Sequence, residues 1–200
     1  MRKIVVFTMM TLDAVMQAPG GPDEDTSGGF KYGGWTAPFA DESFGDIIGK
    51  ELSAPFDLLL GRKTYEIFAP YWSKETGPIA DPFNKAKKYV VAAESLDLTW
   101  KESIRISGDV AAKIEALKKE DGPELQVHGS SLLLQTLLKH DLVDELRLRI
   151  FPLTLGSGKR LFGEGTMPAA FALTDSKTLP SGVILANYKR NGEIKTGSIA

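Results

Sequence analysis

The chain has 200 residues, 42% of them hydrophobic and 25% charged, which is close to the composition of an average soluble globular domain. Its formal net charge is −2 and no basic run exceeds two residues, so it lacks the concentrated positive charge of a nucleic-acid-binding protein. The absence of cysteine excludes disulfides, thiolate metal sites and cysteine nucleophiles, and two histidines are too few for a histidine zinc site without carboxylate help. No apolar stretch approaches the ~20 residues of a membrane-spanning helix, and no signal-peptide cleavage site follows Met1–Phe7. We therefore expect a single cytoplasmic domain over residues 1–200, with no metal, nucleic-acid or membrane partner.

Up to residue 140, the sequence predicts strands that alternate with helices. Continuous apolar runs, rather than alternating ones, indicate strands buried on both faces, as in parallel sheets covered by helices. The runs of this kind are Lys3–Thr8, Asp57–Leu60, Lys88–Ala93 and, after the turn sequence Asp121-Gly122-Pro123, Glu124–His128. The predicted helices are Phe39–Leu52, Asp109–Lys119 with Asp109 as its N-cap, and Ser131–Lys139 with a stripe of leucines.

The end of the chain has a different pattern. Glu145–Phe151 alternates apolar and charged residues, which predicts a strand with one polar face. Phe171–Thr178 and Val183–Arg190 are joined by the turn sequence Leu179-Pro180-Ser181-Gly182 and predict an antiparallel hairpin. The expected fold is therefore α/β, with a mixed, mostly parallel sheet flanked by helices and a C-terminal antiparallel hairpin.

One long segment, Gln17–Trp35, is rich in Gly, Pro and Asp and predicts no regular element. Two interpretations are open. A loop of this length is often functional, so the segment can be a mobile surface loop beside a site. It can equally be a disordered insertion.

The first candidate site is Gly61-Arg62-Lys63-Thr64, directly after a predicted strand. Gly61 permits a tight turn and Thr64 can cap the next helix. Arg62 and Lys63 then lie at a helix N-terminus, where the helix dipole and both side chains favour an anion. Two adjacent cations would suit the 2′-phosphate of an adenosine ribose. The alternative is a solvated basic pair on an ordinary capped helix.

The second candidate site, Gly129-Ser130-Ser131, repeats this order of strand end, glycine and helix start. Backbone N–H groups at such a helix start can bind a diphosphate. The segment lacks the G-x-G-x-x-G fingerprint, and a serine N-cap after a glycine turn is the alternative. A third Gly-rich basic segment, Leu155–Phe162, can contact phosphate or form a simple turn; it lacks the Walker A spacing.

Candidate acids are few. Asp13 follows the first strand and can relay a proton, although a turn-forming Asp is the alternative. Glu42 and Asp46 lie four residues apart on one helix face, where they can meet ring nitrogens of a substrate or form a solvated stripe. His128 ends an apolar strand and is expected to be a packed or hydrogen-bonded structural residue. His140 ends a helix, where a partial positive charge is favourable.

Five motifs follow one another along the chain. They are Thr11-Leu12-Asp13, Leu60-Gly61-Arg62-Lys63-Thr64-Tyr65-Glu66, Val127-His128-Gly129-Ser130, Leu142-Val143-Asp144-Glu145-Leu146 and Pro152-Leu153-Thr154-Leu155-Gly156-Ser157-Gly158-Lys159-Arg160-Leu161-Phe162. In this order they resemble the motifs of the dihydrofolate-reductase-like superfamily, and more specifically those of stand-alone relatives of the reductase domain of the bifunctional riboflavin-biosynthesis deaminase/reductase. The resemblance covers about residues 3–189.

This resemblance implies NADPH as the cofactor, bound across the strand ends. It places Gly61, Arg62, Lys63 and Thr64 at the 2′-phosphate side, Ser95 at a further adenosine-side position, Gly129, Ser130 and Ser131 at the diphosphate, and Met16 and Gln17 beside the nicotinamide. It further implies a homodimer, with the strand Glu145–Phe151 as the expected place of its interface. The first motif of the family usually reads Ser-Leu-Asp-Gly, whereas this chain has Ala14 in place of the glycine. The acidic residue on the first helix of dihydrofolate reductases corresponds loosely to Asp46.

The resulting hypothesis is an NADPH-dependent reductase that acts on a C=N or C=O bond of a pyrimidine, a ribosylamino-pyrimidine or a pterin. The cofactor carries the hydride, and Asp13 or a bound water supplies the proton. Deamination is excluded because the deaminase half of the bifunctional enzyme needs cysteines for zinc. Two alternatives are a nucleotide-binding sensor or carrier without turnover, and a small-molecule-binding dimer with a vestigial cofactor site.

Overall fold

The computed structural model describes residues 1–199, apart from the side chains of Glu42 and Ser43. Across these residues eight strands form one sheet, in the order β4-β3-β2-β5-β1-β6-β8-β7. The elements are β1 (Ile4–Thr11), α1 (Glu42–Glu51), β2 (Phe56–Gly61), α2 (Arg62–Trp72), α3 (Ala80–Lys85), β3 (Lys88–Val91), β4 (Ser103–Ile106), α4 (Val110–Lys119), β5 (Glu124–Val127), α5 (Ser131–Lys139), β6 (Glu145–Phe151), β7 (Phe171–Thr178) and β8 (Ile184–Arg190).

The sheet is parallel from β4 through β6 and antiparallel at its C-terminal edge. β1 pairs in parallel with β5 and β6, and β2 pairs in parallel with β3 and β5. β8 is antiparallel to both β6 and β7. This confirms the predicted mixed α/β fold with a C-terminal hairpin. Because parallel strands end at the same edge, the C-terminal ends of β1, β2 and β5 lie together, where α/β sheets bind ligands.

Helices cover both faces of the sheet, which explains the continuous apolar strands. The buried leucines of α5 and the inner face of α4 pack against one face, with Ile4 and Val6 of β1. α1, α2 and α3 pack against the other face, together with Phe7, Leu58 and Leu60. The longest helix has 11 residues, and among residues 1–199 none has both the length and the apolar character needed to cross a bilayer.

The predicted elements match the structure closely in the parallel core, but α3 and β4 were not predicted. β4 has four residues and lies at the sheet edge. Its two apolar residues alternate with polar ones, so the sequence shows no apolar run there. α3 has six residues, too few for a helical period to show. The first helix begins at Glu42 rather than at Phe39, because Asp41 is its N-cap and accepts a hydrogen bond from the Phe44 amide.

The two arginines on the polar face of β6 are paired with carboxylates of neighbouring elements. The Arg149 side chain is fully buried and donates to Glu51 at 2.5 Å, with its guanidinium 4.7 Å from the centre of the Phe7 ring. Arg147 makes two hydrogen bonds of 2.7 Å to Glu124. β6 itself lies between β1 and β8 and has no free edge. The expected interface on this strand, like the homodimer itself, stays a prediction from the resemblance.

The Gly-rich segment Gln17–Trp35 packs onto the sheet. The Trp35 side chain is buried, contacts Phe151 edge to face and donates from its ring N–H to the Gln17 carbonyl at 2.8 Å. Phe30 is also buried in the same cluster. The segment is therefore an irregular surface loop with buried anchors rather than a disordered insertion.

Candidate functional site

The two predicted strand–glycine–helix junctions touch each other. The Gly61 amide donates to the Gly129 carbonyl at 3.0 Å, which joins the end of β2 to the end of β5. A Cβ at Gly61 would collide with the side chain and backbone nitrogen of Ser130. A Cβ at Gly129, where φ is +148°, would lie 2.5 Å from Thr64 Oγ1. The close approach of α2 and α5 therefore requires glycine at both positions.

Both helices that start at these junctions lack a side-chain cap. The N-cap of α2 is Gly61, and the N-cap of α5, Ser130, makes no capping hydrogen bond with its hydroxyl. By contrast, aspartates cap α1 and α4 with bonds to backbone amides. The first N–H groups of α2 and α5 are thus left for water or an anion. Thr64, expected as the cap of α2, lies in its first turn instead.

A cavity of about 420 Å³ opens in front of these helix ends. Its wall brings together most of the predicted cofactor residues, namely Met16, Gln17, Arg62, Lys63, Thr64, Gly129, Ser130 and Ser131. Gly61 lies directly behind the wall, through its contact with Ser130. The remaining wall comes from Phe7–Met9 of β1, from side chains of α2, and from Ala18, Pro19, Glu24, Asp25, His128, Leu132 and Lys159.

The α2 side of the cavity carries positive charge. Arg62 and Lys63 are both exposed. Arg62 Nε lies 2.8 Å from Glu66 Oε1, one helical turn further on, whereas Lys63 has no ion-pair partner within residues 1–199. These two cations, next to an uncapped helix start, can bind a multivalent anion such as a phosphate monoester.

Another part of the cavity wall is held by hydrogen bonds of Gln17. Its side-chain amide donates to the carbonyls of Asp25 and Ser27 at 3.0 Å, and its Oε1 accepts from the Lys159 amide at 3.0 Å. Lys159 Nζ in turn pairs with Asp25 at 2.6 Å. The segment Leu155–Phe162, whose sequence allowed either a phosphate contact or a turn, therefore fastens the loop that forms this wall.

The family model described as the RibD C-terminal domain matches residues 2–185. The chain belongs to the RibD C-terminal domain family. It is 26% identical over 196 residues to the uncharacterized protein YyaP of Bacillus subtilis, which covers 96% of both chains. Its fold is similar to that of a pyrimidine reductase-like protein of Corynebacterium diphtheriae, with a TM-score of 0.67, 13% identity and coverage of 96% of this chain and 93% of the other. A dihydrofolate reductase of Enterococcus faecalis, complexed with NADP(H) and RAB-propyl, superposes with a TM-score of 0.61 and 13% identity over 94% of this chain and 96% of its own. The resemblance seen in the motifs is confirmed, and the fold is dihydrofolate-reductase-like.

In this member of the RibD C-terminal domain family, His128 forms part of the cavity wall as a neutral ring. It packs against Phe7 and Phe83, with ring centres 5.1 Å and 5.2 Å away. Burial lowers the pKa of His128 to about 3. Its Nε2 lies 3.3 Å from Gln126 Oε1, and the Gln126 amide nitrogen donates to Glu124, so Nε2 is the protonated nitrogen.

Asp13 lies outside the cavity wall and holds a turn. Its carboxylate accepts from Thr11 Oγ1 at 2.5 Å and from the backbone amides of Leu155 and Gly156 at 3.2 Å and 2.8 Å. The Thr11 hydrogen bond, followed by the two amides, lowers the pKa of Asp13 to about 2, although partial burial opposes the shift. A carboxyl with this pKa carries no proton at neutral pH, so the geometry favours the turn-forming alternative over the proton relay.

Asp46 and Ser95 are also outside the cavity wall. Asp46 is exposed on α1. The side chain of Glu42, proposed as its companion, lies outside the described residues. Ser95 sits on an exposed turn after β3, at the same sheet edge as Arg62. The structure therefore does not bring these two predicted residues to the cavity, and their roles stay predictions.

The cavity wall contains carboxyl groups that are not among the predicted acids, namely Glu24, Asp25 and Glu66. Asp25 is paired with Lys159 and Glu66 with Arg62, whereas Glu24 has no ion-pair partner within residues 1–199. Glu24 lies in the Gly-rich segment, and its Oε2 accepts from the amides of Gly20 and Gly21 at 2.6 Å and 3.2 Å. No sequence spacing could have revealed it, since Glu24 reaches the wall only because the irregular chain folds back on itself.

Proposed function

We propose that this protein is an NADPH-dependent reductase of a small heterocyclic substrate, of the pyrimidine, ribosylamino-pyrimidine or pterin class. The observation that carries this proposal is the meeting of two uncapped helix starts and two adjacent cations at one cavity. The reductase type of the RibD C-terminal domain family supports it, as does the likeness to a dihydrofolate reductase that was solved with NADP(H).

The residues at the cavity fit a dinucleotide phosphate. Arg62 and Lys63 would hold the 2′-phosphate through charge-assisted hydrogen bonds. The start of α5 would hold the diphosphate with its free N–H groups, since a side chain at Gly129 would fill the space beside Thr64. Met16 and Gln17 would then edge the nicotinamide.

NADPH, when bound, supplies the hydride. The chain's own task is to orient the substrate, exclude water and provide a proton. The apolar wall formed by Phe7, Met9 and Phe68 can pack against a flat heterocycle. His128 in its neutral form adds a ring without adding charge, which keeps this part of the cavity apolar.

A second candidate function is a nucleotide-binding sensor or carrier without turnover. The placement of Asp13 and Asp46 outside the cavity wall favours it, because neither predicted acid lines the cavity. The two functions differ in one outcome, since a reductase consumes bound NADPH in the presence of some substrate and a sensor does not.

The deciding experiment is a titration of the purified protein with NADPH and with NADH, followed by nicotinamide fluorescence. We expect NADPH to bind more tightly than NADH. NADPH oxidation at 340 nm is then screened with aminopyrimidine, ribosylamino-pyrimidine and dihydropterin substrates. Binding without any turnover would favour the sensor, and absence of binding to either dinucleotide would overturn both functions.

A further inference from the structure

We propose that Glu24 is the acid of this cavity: its protonated carboxyl donates the proton to the nitrogen or oxygen atom of the bond that is reduced. The proposal rests on the proposed reductase function and identifies the proton donor, which that function requires and neither Asp13 nor Asp46 supplies from the cavity wall. Glu24 is a loop residue in the cavity wall, and neither Asp13 nor Asp46 shares that position.

The two carboxylate oxygens of Glu24 have different surroundings. Oε2 accepts hydrogen bonds from the amides of Gly20 and Gly21, which fix the side chain in place. Oε1 accepts no hydrogen bond from residues 1–199, so it is the oxygen that can carry the proton and present it to a ligand. A carboxyl that is held at one oxygen and has the other free can act as a general acid toward a ligand that binds within hydrogen-bond reach of it.

The neighbour of Glu24 has the opposite environment. Asp25 is buried, which by itself would raise its pKa, but hydrogen bonds from Lys159 and Ser27 outweigh burial and leave the pKa below its ordinary value. Burial raises the pKa of Glu24, the Asp25 charge raises it further, and the amides of Gly20 and Gly21 only partly oppose these effects. The pKa values of these two adjacent carboxyl groups are thus shifted in opposite directions, which favours the protonated form of Glu24 and the ionised form of Asp25.

Lys159 does not neutralise Glu24, because it is held by Asp25 and by the hydroxyl of Ser27 at 2.8 Å. The other charged side chains that line the cavity belong to α2, namely Arg62, Lys63 and Glu66, and Arg62 is paired with Glu66. His128 is neutral. Among residues 1–199, no cation forms an ion pair with Glu24.

The reaction step balances with this one proton. A hydride, with its electron pair, adds to the carbon of the C=N or C=O bond, and the π electrons move to the nitrogen or oxygen. That atom takes the proton from Glu24 Oε1, which leaves a carboxylate. The carboxylate takes up a proton from water before the next turnover. The substrate would be reduced, and NADPH, which would supply the hydride, would be oxidised.

The first test needs no substrate. The Glu24 carboxyl carbon is followed by NMR in protein labelled with ¹³C-glutamate, with its signal assigned by its absence in Glu24→Gln. We expect Glu24 to titrate above the ordinary glutamate value of about 4.3. Titration at or below that value would overturn the proposal, whether or not a substrate is ever found.

The second test uses a substrate that the screen described above identifies. We expect Glu24→Gln to lower kcat about 100-fold or more while KM changes less than about threefold, and NADPH affinity to stay unchanged. The wild-type kcat/KM is expected to fall as the pH rises above the Glu24 pKa, and this fall is expected to vanish in Glu24→Gln. Asp23→Asn, an exposed change in the same loop, is the matched control and is expected to behave as wild type.

The outcomes separate the two proposals. A wild-type protein that binds NADPH but reduces nothing in the screen defeats the reductase function, and the NMR titration still decides the protonation of Glu24. A Glu24→Gln variant that retains wild-type kcat and pH profile defeats the role of Glu24 and leaves the reductase function intact.

Discussion

The Gly61 amide donates a hydrogen bond of 3.0 Å to the carbonyl oxygen of Gly129, and this bond ties the starts of α2 and α5 together. The two helices belong to opposite faces of the sheet. Their N-termini can converge on one cavity only because neither glycine carries a Cβ, which would meet Ser130 or Thr64. The cavity thus depends on the absence of side chains at Gly61 and Gly129 as much as on the charges of Arg62 and Lys63.

Gly129→Val is expected to abolish binding of both NADPH and NADH. The valine side chain would push into Thr64 and the start of α5, where the diphosphate would lie, and φ of +148° disfavours a β-branched residue. Fluorescence titration measures the loss, and circular dichroism checks that the protein is folded. Gly45→Ala is the matched control, because a Cβ there meets nothing within 4 Å. A folded Gly129→Val protein with wild-type affinity would show that the turn is only structural.

Arg62→Ala is expected to weaken NADPH binding by roughly 10-fold to 100-fold, as a lost charge-assisted hydrogen bond would do. NADH has no 2′-phosphate, so its affinity is expected to change little. Glu66→Gln is expected to strengthen NADPH binding, because it frees Arg62 from its 2.8 Å ion pair. Dissociation constants for both dinucleotides are compared at one salt concentration. An equal loss for NADPH and NADH in Arg62→Ala would contradict a role in binding the 2′-phosphate.

The sequence predicted the parallel core and both glycine junctions because these depend on local patterns. Gly61 and Gly129 each follow an apolar run and precede a helix, so their place at the sheet edge follows from chain order. The acid could not be predicted in this way. Asp13 is next to a strand end but is turned toward Leu155 and Gly156, and Glu24 reaches the cavity through an irregular loop. Such contacts arise from tertiary folding and leave no periodicity in the sequence.

The neutral state of His128 predicts how stability varies with pH. Its pKa is about 3 in the folded protein, against about 6.5 in an unfolded chain, so the unfolded state binds the proton more readily. The free energy of unfolding should therefore fall as the pH drops below about 6.5, by about 1 kcal/mol per pH unit from this residue. Urea denaturation at pH 7.5 and 5.5 measures the difference. His128→Phe, which keeps a ring beside Phe7 and Phe83, should reduce it; an unchanged difference would contradict the prediction.

Asp13→Asn should separate a turn-forming role from a catalytic one. The folded-state pKa of about 2 lies below the ordinary value, so the stabilisation from Asp13 is present above about pH 4 and is lost as the pH falls toward 2. At pH 7 we expect the variant to lose roughly 1 kcal/mol of unfolding free energy, because the lost bonds are charge-assisted but solvent screens part of the carboxylate.

Thr11→Val removes the donor of the 2.5 Å bond to Asp13 and serves as the matched variant. Because both changes break the same contact, the double variant should lose less stability than the sum of the two single variants. NADPH affinity and turnover per folded molecule should stay at the wild-type level in all three proteins. A fall in turnover of about 100-fold in Asp13→Asn, with stability unchanged, would instead assign the proton to Asp13 and remove it from Glu24.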